Sequence, residues 1–284
     1  MAGLKTFEKV PIDTNIAAGN EIPINLPVGK TYETIALKLT DLAKTDLEDI
    51  RIRINDNIIS QYRNVDHLEK IQSYYGYSIE ADTVFIHFLA REFDQIKHQN
   101  SFTLGTVGVN TATVTLKIKD NAAGANPSIK AYAVKSVGVA PGTLAKVRAF
   151  PISVPAGVYE FADIPRPDGA RIKAIHVIKP EDDINHVELE VNKRLYVETS
   201  KDALQSFQKM YKRAPQAGMY TLEFGLQGDV YELFKIPPKM IATQTGAVPN
   251  PDQITDMRLR MDCTAAGQVY VIVEYMDAWN PNGF

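Results

Sequence analysis

The chain repeats itself, and the repeat limits what it can fold into more than any other feature. Ile50-Arg-Ile-Arg-Ile54 and Val187-Glu-Leu-Glu-Val191 are alternating segments 137 residues apart, and the cap candidates that follow them, Asn64 and Ser200, are 136 apart. Val114-Thr-Leu-Lys-Ile118 matches Met257-Arg-Leu-Arg-Met261 at a separation of 143, and Ala122-Ala-Gly124 matches Ala265-Ala-Gly267 at the same separation. The landmarks keep their order, and their separations cluster near half of the 284-residue length. That pattern predicts two copies of one domain.

Alternation of apolar and polar residues puts one face of a strand in a core and the other in water. Further strands are predicted at Glu21 to Leu26, Tyr32 to Leu39, Thr83 to Phe88, Thr113 to Ile118, Ile129 to Val134, Arg171 to Ile178, Met219 to Phe224, Val230 to Phe234 and Val269 to Tyr275. The 17 Gly and 16 Pro fall mostly between these segments, the pattern of a β-sandwich. Two helices are predicted, each after an alternating strand and a short polar-edged one. Asn64 caps the first, whose apolar face is Val65, Leu68, Ile71 and Tyr75; Ser200 caps the second, with Leu204, Phe207, Tyr211 and Ala214. The copies are divided at Ser136-Val-Gly-Val-Ala-Pro-Gly142, giving domains 1–137 and 138–284. That stretch is too short and too apolar for a loose tether, so rigid side-by-side packing is expected.

A formal charge of −3, from 31 Lys plus Arg against 34 Asp plus Glu, argues against a protein that coats itself with nucleic acid or an anionic membrane. The first 15 residues likewise carry no basic arm. A single cysteine, Cys263, excludes an intramolecular disulfide framework and a multi-thiolate zinc site; it reads as a small core residue. No signal-peptide pattern opens the chain, so synthesis in the cytoplasm is expected. Its apolar runs are far shorter than the roughly 20 residues that cross a bilayer.

No phosphate-binding loop, nucleophile elbow, dinucleotide fingerprint or His-Glu-x-x-His helix occurs, and the five histidines include no His-x-His pair of the kind a cupin metal site uses. The chain is therefore not expected to be an enzyme. His87 and His176 fall inside apolar strands and read as structural. The acidic groups Glu181-Asp182-Asp183 and Asp46, Glu48, Asp49 lack the spacing of a calcium loop and read as solvated turns. One contrast stands out: the outward positions of the matched strands are Arg51 and Arg53 in the first copy but Glu188 and Glu190 in the second. Were the copies to alternate around a ring, opposite charges would meet between subunits and set their order; two solvated faces are the alternative. The segment Lys235 to Asp256, with four prolines, has no regular period and reads as an exposed excursion.

A further set of residues carries a resemblance: Asn15-Ile-Ala-Ala-Gly-Asn20, Leu26-Pro-Val-Gly-Lys-Thr-Tyr-Glu33, Leu104-Gly-Thr-Val-Gly108, Ile164-Pro-Arg-Pro-Asp-Gly169, Gly228-Asp-Val-Tyr231, and Ile272-Val-Glu-Tyr-Met276 through Asn282-Gly-Phe284. In this order, over nearly the whole chain, they resemble the major capsid proteins of corticoviruses, tailless marine bacteriophages with an internal membrane. The resemblance implies an all-β double jelly roll, two tandem eight-stranded sandwiches with one short helix in each. It also implies homotrimers of pseudo-hexagonal outline, tiling against neighbouring trimers into an icosahedral shell around a membrane. Vertex and membrane-associated viral proteins are the further partners, the virion is the location, and structural calcium is possible, its ligands unassigned. Duplication suits such a shell, because three chains of two similar domains present six nearly equivalent edges. A tandem jelly-roll carbohydrate- or receptor-binding module is the alternative function.

Overall fold

In the computed structural model, which describes residues 5–12, 15–122, 124, 126–243 and 246–280, the chain forms two compact units. One is the chain up to Arg148 together with the stretch from Ala278, the other Ala149–Asp277. The first holds β1 (Thr6–Val10), β2 (Glu21–Asn25), β3 (Lys30–Thr40), β4 (Leu47–Ile54), β5 (Asn57–Asn64), helix α1 (Val65–Tyr74), β6 (Thr83–His87), helix α2 (Ile96–Asn100), β7 (Leu104–Gly105), β8 (Ala112–Ile118) and β9 (Ser128–Val137). Strand β10 (Thr143–Val154) passes from the first unit into the second. There follow β11 (Gly157–Phe161), β12 (Arg171–Ile178), β13 (Ile184–Val191), β14 (Arg194–Ser200), helix α3 (Lys201–Met210), β15 (Met219–Glu223), β16 (Phe234–Lys235), β17 (Met240–Thr243), β18 (Gly246–Pro249), β19 (Met257–Cys263) and β20 (Gly267–Ala278).

Each unit is a sandwich of two sheets with the same strand order. In the first, the orders are β2-β8-β4-β5 and β1-β9-β3-β6, with the two-residue β7 on β3. In the second they are β11-β19-β13-β14 and β10-β20-β12-β15, with the two-residue β16 on β12. The correspondence holds strand for strand, and it extends to defects: a bulge between Ile52 and Arg53 where β4 meets β5 returns between Leu189 and Glu190 where β13 meets β14. Alternation fills the cores as expected. In the second unit Ile172, Val177, Val271 and Val273 from one sheet pack with Val187, Leu189, Leu259 and Met261 from the other, each buried side chain stabilising by about 1.5–3 kcal/mol. Cys263 is buried in the same core.

The register corrects one of the sequence alignments. Ile52 pairs with Val114 and its counterpart Leu189 with Leu259, so β8 matches β19 at a separation of 145, not 143. A slip of two residues leaves every side chain on its own face, which is why alternation alone did not expose it. The true register is set by two asparagines. Asn55 and Asn192 open the β4–β5 and β13–β14 turns in the left-handed region, at φ 48° and 49°, a conformation asparagine tolerates. The side-chain oxygen of Asn55 accepts from the amides of Asn110 and Thr111, and that of Asn192 from Thr255 and Asp256. Of the matched Ala122-Ala-Gly124 and Ala265-Ala-Gly267 segments, Ala123 lies outside the described residues.

The helices are also duplicated, though unequally. Asn64 caps α1, its side chain accepting from the His67 amide at 2.8 Å, whereas Ser200 makes no side-chain cap bond. Gln72 of α1 donates to the Phe85 carbonyl on β6 (2.8 Å), and Gln208 of α3 repeats the bond to Thr221 on β15 (2.7 Å). Both glutamines are buried. Gln208→Leu strands the Thr221 carbonyl and is expected to lower stability by about 1–3 kcal/mol, measurable by urea unfolding. The expected apolar face of α3 holds only in part: Leu204 packs against the core and Tyr211 is half-buried, but Phe207 and Ala214 are exposed, as is Met210, and Gln208 is the helix residue that is fully buried. The first unit also carries the five-residue α2, so it has two helices rather than one. Val230 to Phe234, expected as a strand, is a 3-10 turn over Val230–Glu232 followed by β16.

Lys235 to Asp256 is an excursion, as expected, but a regular one: β17 and β18 form an exposed hairpin with Met240 opposite Pro249. The stretch Ser136 to Gly142 does not simply interrupt the ladder. Val137 still pairs with Lys30, Val139 donates to the Thr31 hydroxyl and accepts from the Val107 amide. Gly138 runs so close to the Gly29 carbonyl that a Cβ there would overlap it.

Candidate assembly surfaces

The two outward faces singled out by charge are built differently. On β4, Arg51 is held by Asp49, which also accepts from Gln61 (2.7 Å), while the Nε of Arg53 is buried without a hydrogen-bond partner. Their cross-strand neighbours on β8, Thr115 and Thr113, are neutral. On β13, Glu188 and Glu190 lie 3.6 and 3.2 Å from Arg260 of β19, and Arg260 also donates to Glu160 of β11 at 2.9 Å. Arg258 bridges Glu160 (3.0 Å) and Asp256 (2.8 Å). These carboxylates hold both guanidinium groups above their ordinary pKa, through Asp256 first for Arg258 and Glu160 first for Arg260. Thus the glutamates already have cations within their own sheet. The Arg258-x-Arg260 alternation opposite Glu188-x-Glu190 was the sequence signal for this ladder, legible only once the strands are known to be neighbours.

The acidic groups already have partners within the chain. Asp183 accepts from the fully buried Lys179 at 2.5 Å and from the Ala265 amide, and these bonds hold its carboxyl below the usual range, Lys179 first. Asp182 accepts from Lys201 (2.5 Å) and the Gly218 amide (2.7 Å). These bonds tie the turn between β12 and β13 to its neighbours, while Glu181 and Asp182 stay exposed, as expected of a solvated turn. In the first unit Asp46 accepts from the Ala43 amide, Glu48 lies 3.2 Å from Lys117 and Asp49 holds Arg51. The remaining cluster, His186, Glu188 and Glu198, includes an imidazole, a ligand suited to transition metals rather than to calcium. His176 is a structural residue, bonded to Thr221 (2.9 Å) and Glu274 (3.2 Å) inside the second unit. Among the described residues no helix is long and apolar enough to cross a membrane.

Strand order, duplication and shared bulges define the class, a double jelly roll, and solved structures agree. The chain superposes on the STIV MCP with a TM-score of 0.64 at 15% identity, covering 96% of this chain and 97% of that one. For a chain of the PBCV-1 virus capsid the values are 0.63 and 9%, over 99% and 96%. At such identities the fold alone is shared. Two family models match in tandem, the viral coat protein P2 N-terminal domain over residues 7–137 and the P2 C-terminal domain over residues 144–279. The major capsid protein P2 of Pseudoalteromonas phage PM2 is 32% identical over 287 aligned residues, 99% of this chain and all of that one. Its crystal structure superposes with a TM-score of 0.89, covering 99% of this chain and 100% of that one. The chain belongs to this P2 coat-protein family.

Proposed function

We propose that this chain is the major capsid subunit of a virion: a structural protein whose work is to assemble with copies of itself into trimers of six-sided outline, and then into an icosahedral shell around an internal membrane. The observation that carries the reading is the strand-for-strand duplication, joined to 32% identity over the full length of a phage major capsid protein. Two like units per chain let a threefold ring offer six similar edges, so hexagonal tiling needs only closed, heterologous contacts. Antiparallel sandwiches whose edges are covered on assembly suit the crowding of a shell, because covered edges do not seed disordered stacking. The subunit is made in the host cytoplasm and meets vertex and membrane-associated proteins in the particle.

Multi-angle light scattering tests this. The purified chain is expected at about 95 kDa, three times 31.6 kDa, with hexagonally arrayed capsomers seen by electron microscopy on concentration. A species that stays at 31.6 kDa at every concentration overturns it.

A further inference from the structure

The two units differ most in what covers one flank. In the first, the outer edge of β5 is closed by the start of β10. Val147 pairs with Ser60 in parallel, the Ser60 hydroxyl donates to the Ala145 carbonyl (3.0 Å), and the Arg148 guanidinium donates to the carbonyls of Ile58 (2.8 Å) and Ile59 (3.2 Å). In the second unit β14 is the outermost strand of its sheet, and among the described residues no strand pairs with its other edge. The side chains follow suit. Ile59 is 3% exposed but its counterpart Tyr196 57%; Ile71 is 3% exposed but Phe207 60%; Tyr74 is fully buried but Met210 is 64% exposed. Leu195, beside Tyr196, is exposed as well.

An open strand edge flanked by apolar side chains is a template for another chain. The duplication says which segment fits it. In the second unit β10 takes the sheet position that β1 takes in the first, beside β20 as β1 lies beside β9. The segment that closes β5 is therefore the leading part of a β1-type strand. The chain has one other strand of this type, β1 itself, which pairs with β9 and closes no second edge among the described residues. Its Phe7 is exposed.

We infer that the flank formed by β14 and α3 is covered by strand β1 of a second copy of this chain, a head-to-tail contact that repeats around a closed ring. The inference rests on the capsid reading and names the surface through which the copies join.

The test has two arms, both on the full chain. The double variant F207E, M210E alters side chains that are exposed in the single chain, so it is expected to fold with an unchanged circular dichroism spectrum while its mass falls from about 95 kDa to 31.6 kDa. Separately, F7C and L195C variants are mixed, assembled and treated with a short bis-maleimide. A cross-linked dimer containing one chain of each is expected, and neither variant alone should give it. A double variant that keeps the parental mass, or mixed assemblies that yield no hetero-cross-link, overturns the inference while the capsid reading stands. A parent chain that is itself monomeric removes both.

Discussion

Arg213→Met is expected to lower the unfolding free energy of the second unit by about 3–5 kcal/mol. Arg213 follows α3, and its guanidinium grips the carboxylate of Glu223 on β15: Nε donates at 3.1 and 3.0 Å to the two oxygens, and Nη2 at 2.7 Å to one of them. The Glu223 side chain is 1% exposed and that of Arg213 8%. Two ions taken out of water gain little net stability as a pair, but removing the guanidinium takes away the charge-assisted bonds that its carboxylate partner receives in a dry setting. The prediction therefore has a second half: Arg213→Met combined with Glu223→Leu recovers most of what the single variant loses. Urea titrations of parent, single and double variants decide it. A single variant within about 1 kcal/mol of the parent, or a double variant no better than the single, rejects the pair as a buried ion pair.

The sequence made the strands legible because a half-buried strand needs nothing from its neighbours to show its period. Ile50 to Ile54 and Val187 to Val191 announce themselves, and so does their repetition. What depends on distant residues stayed hidden. The register of β8 against β19 is fixed by Asn55 and Asn192, and an error of two residues is invisible to a pattern of period two. The amphipathic pattern of α3 reported which side chains want cover but not whether the same chain supplies it. The matching pattern in α1 is satisfied internally, that of α3 only in part, with Leu204 on the core and Phe207 exposed. Arg51, Arg53, Glu188 and Glu190 could be found as outward charges, but the neutralising Arg260 lies 70 residues beyond Glu190 and meets it only through the sheet. The hairpin of β17 and β18 escaped because its residues are exposed on both faces and so carry no alternation.

The position of Glu223 has a counterpart in the first unit, and the counterpart is expected to make that unit acid-labile. His87 stands where Glu223 does, and Tyr77 where Arg213 does; Tyr77 and Arg213 each donate their backbone amide to the matched glutamine carbonyl, Gln72 or Gln208. Instead of an ion pair, the first unit stacks the imidazole on the Tyr77 ring, with centroids 4.5 Å apart. Burial there lowers the His87 pKa from 6.5 to about 4, with Arg91 adding to the effect, and burial lowers that of His67 on α1 from 6.5 to about 4 as well. Because the folded pKa values are depressed, the unfolded chain binds more protons as pH falls. The stability carried by the neutral rings is complete above pH 6.5 and is lost between 6.5 and about 4. The expected loss is about 3 kcal/mol per histidine by pH 4. Position 203, the counterpart of His67, is alanine, so the second unit holds neither neutral histidine and this contribution falls on the first. Urea unfolding of His87→Phe, which keeps an aromatic ring on Tyr77, should show roughly half the parental dependence on pH across that window. An unchanged slope would place the acid sensitivity elsewhere, whereas a halved one assigns that share to the His87 ring, which must shed its proton to be buried.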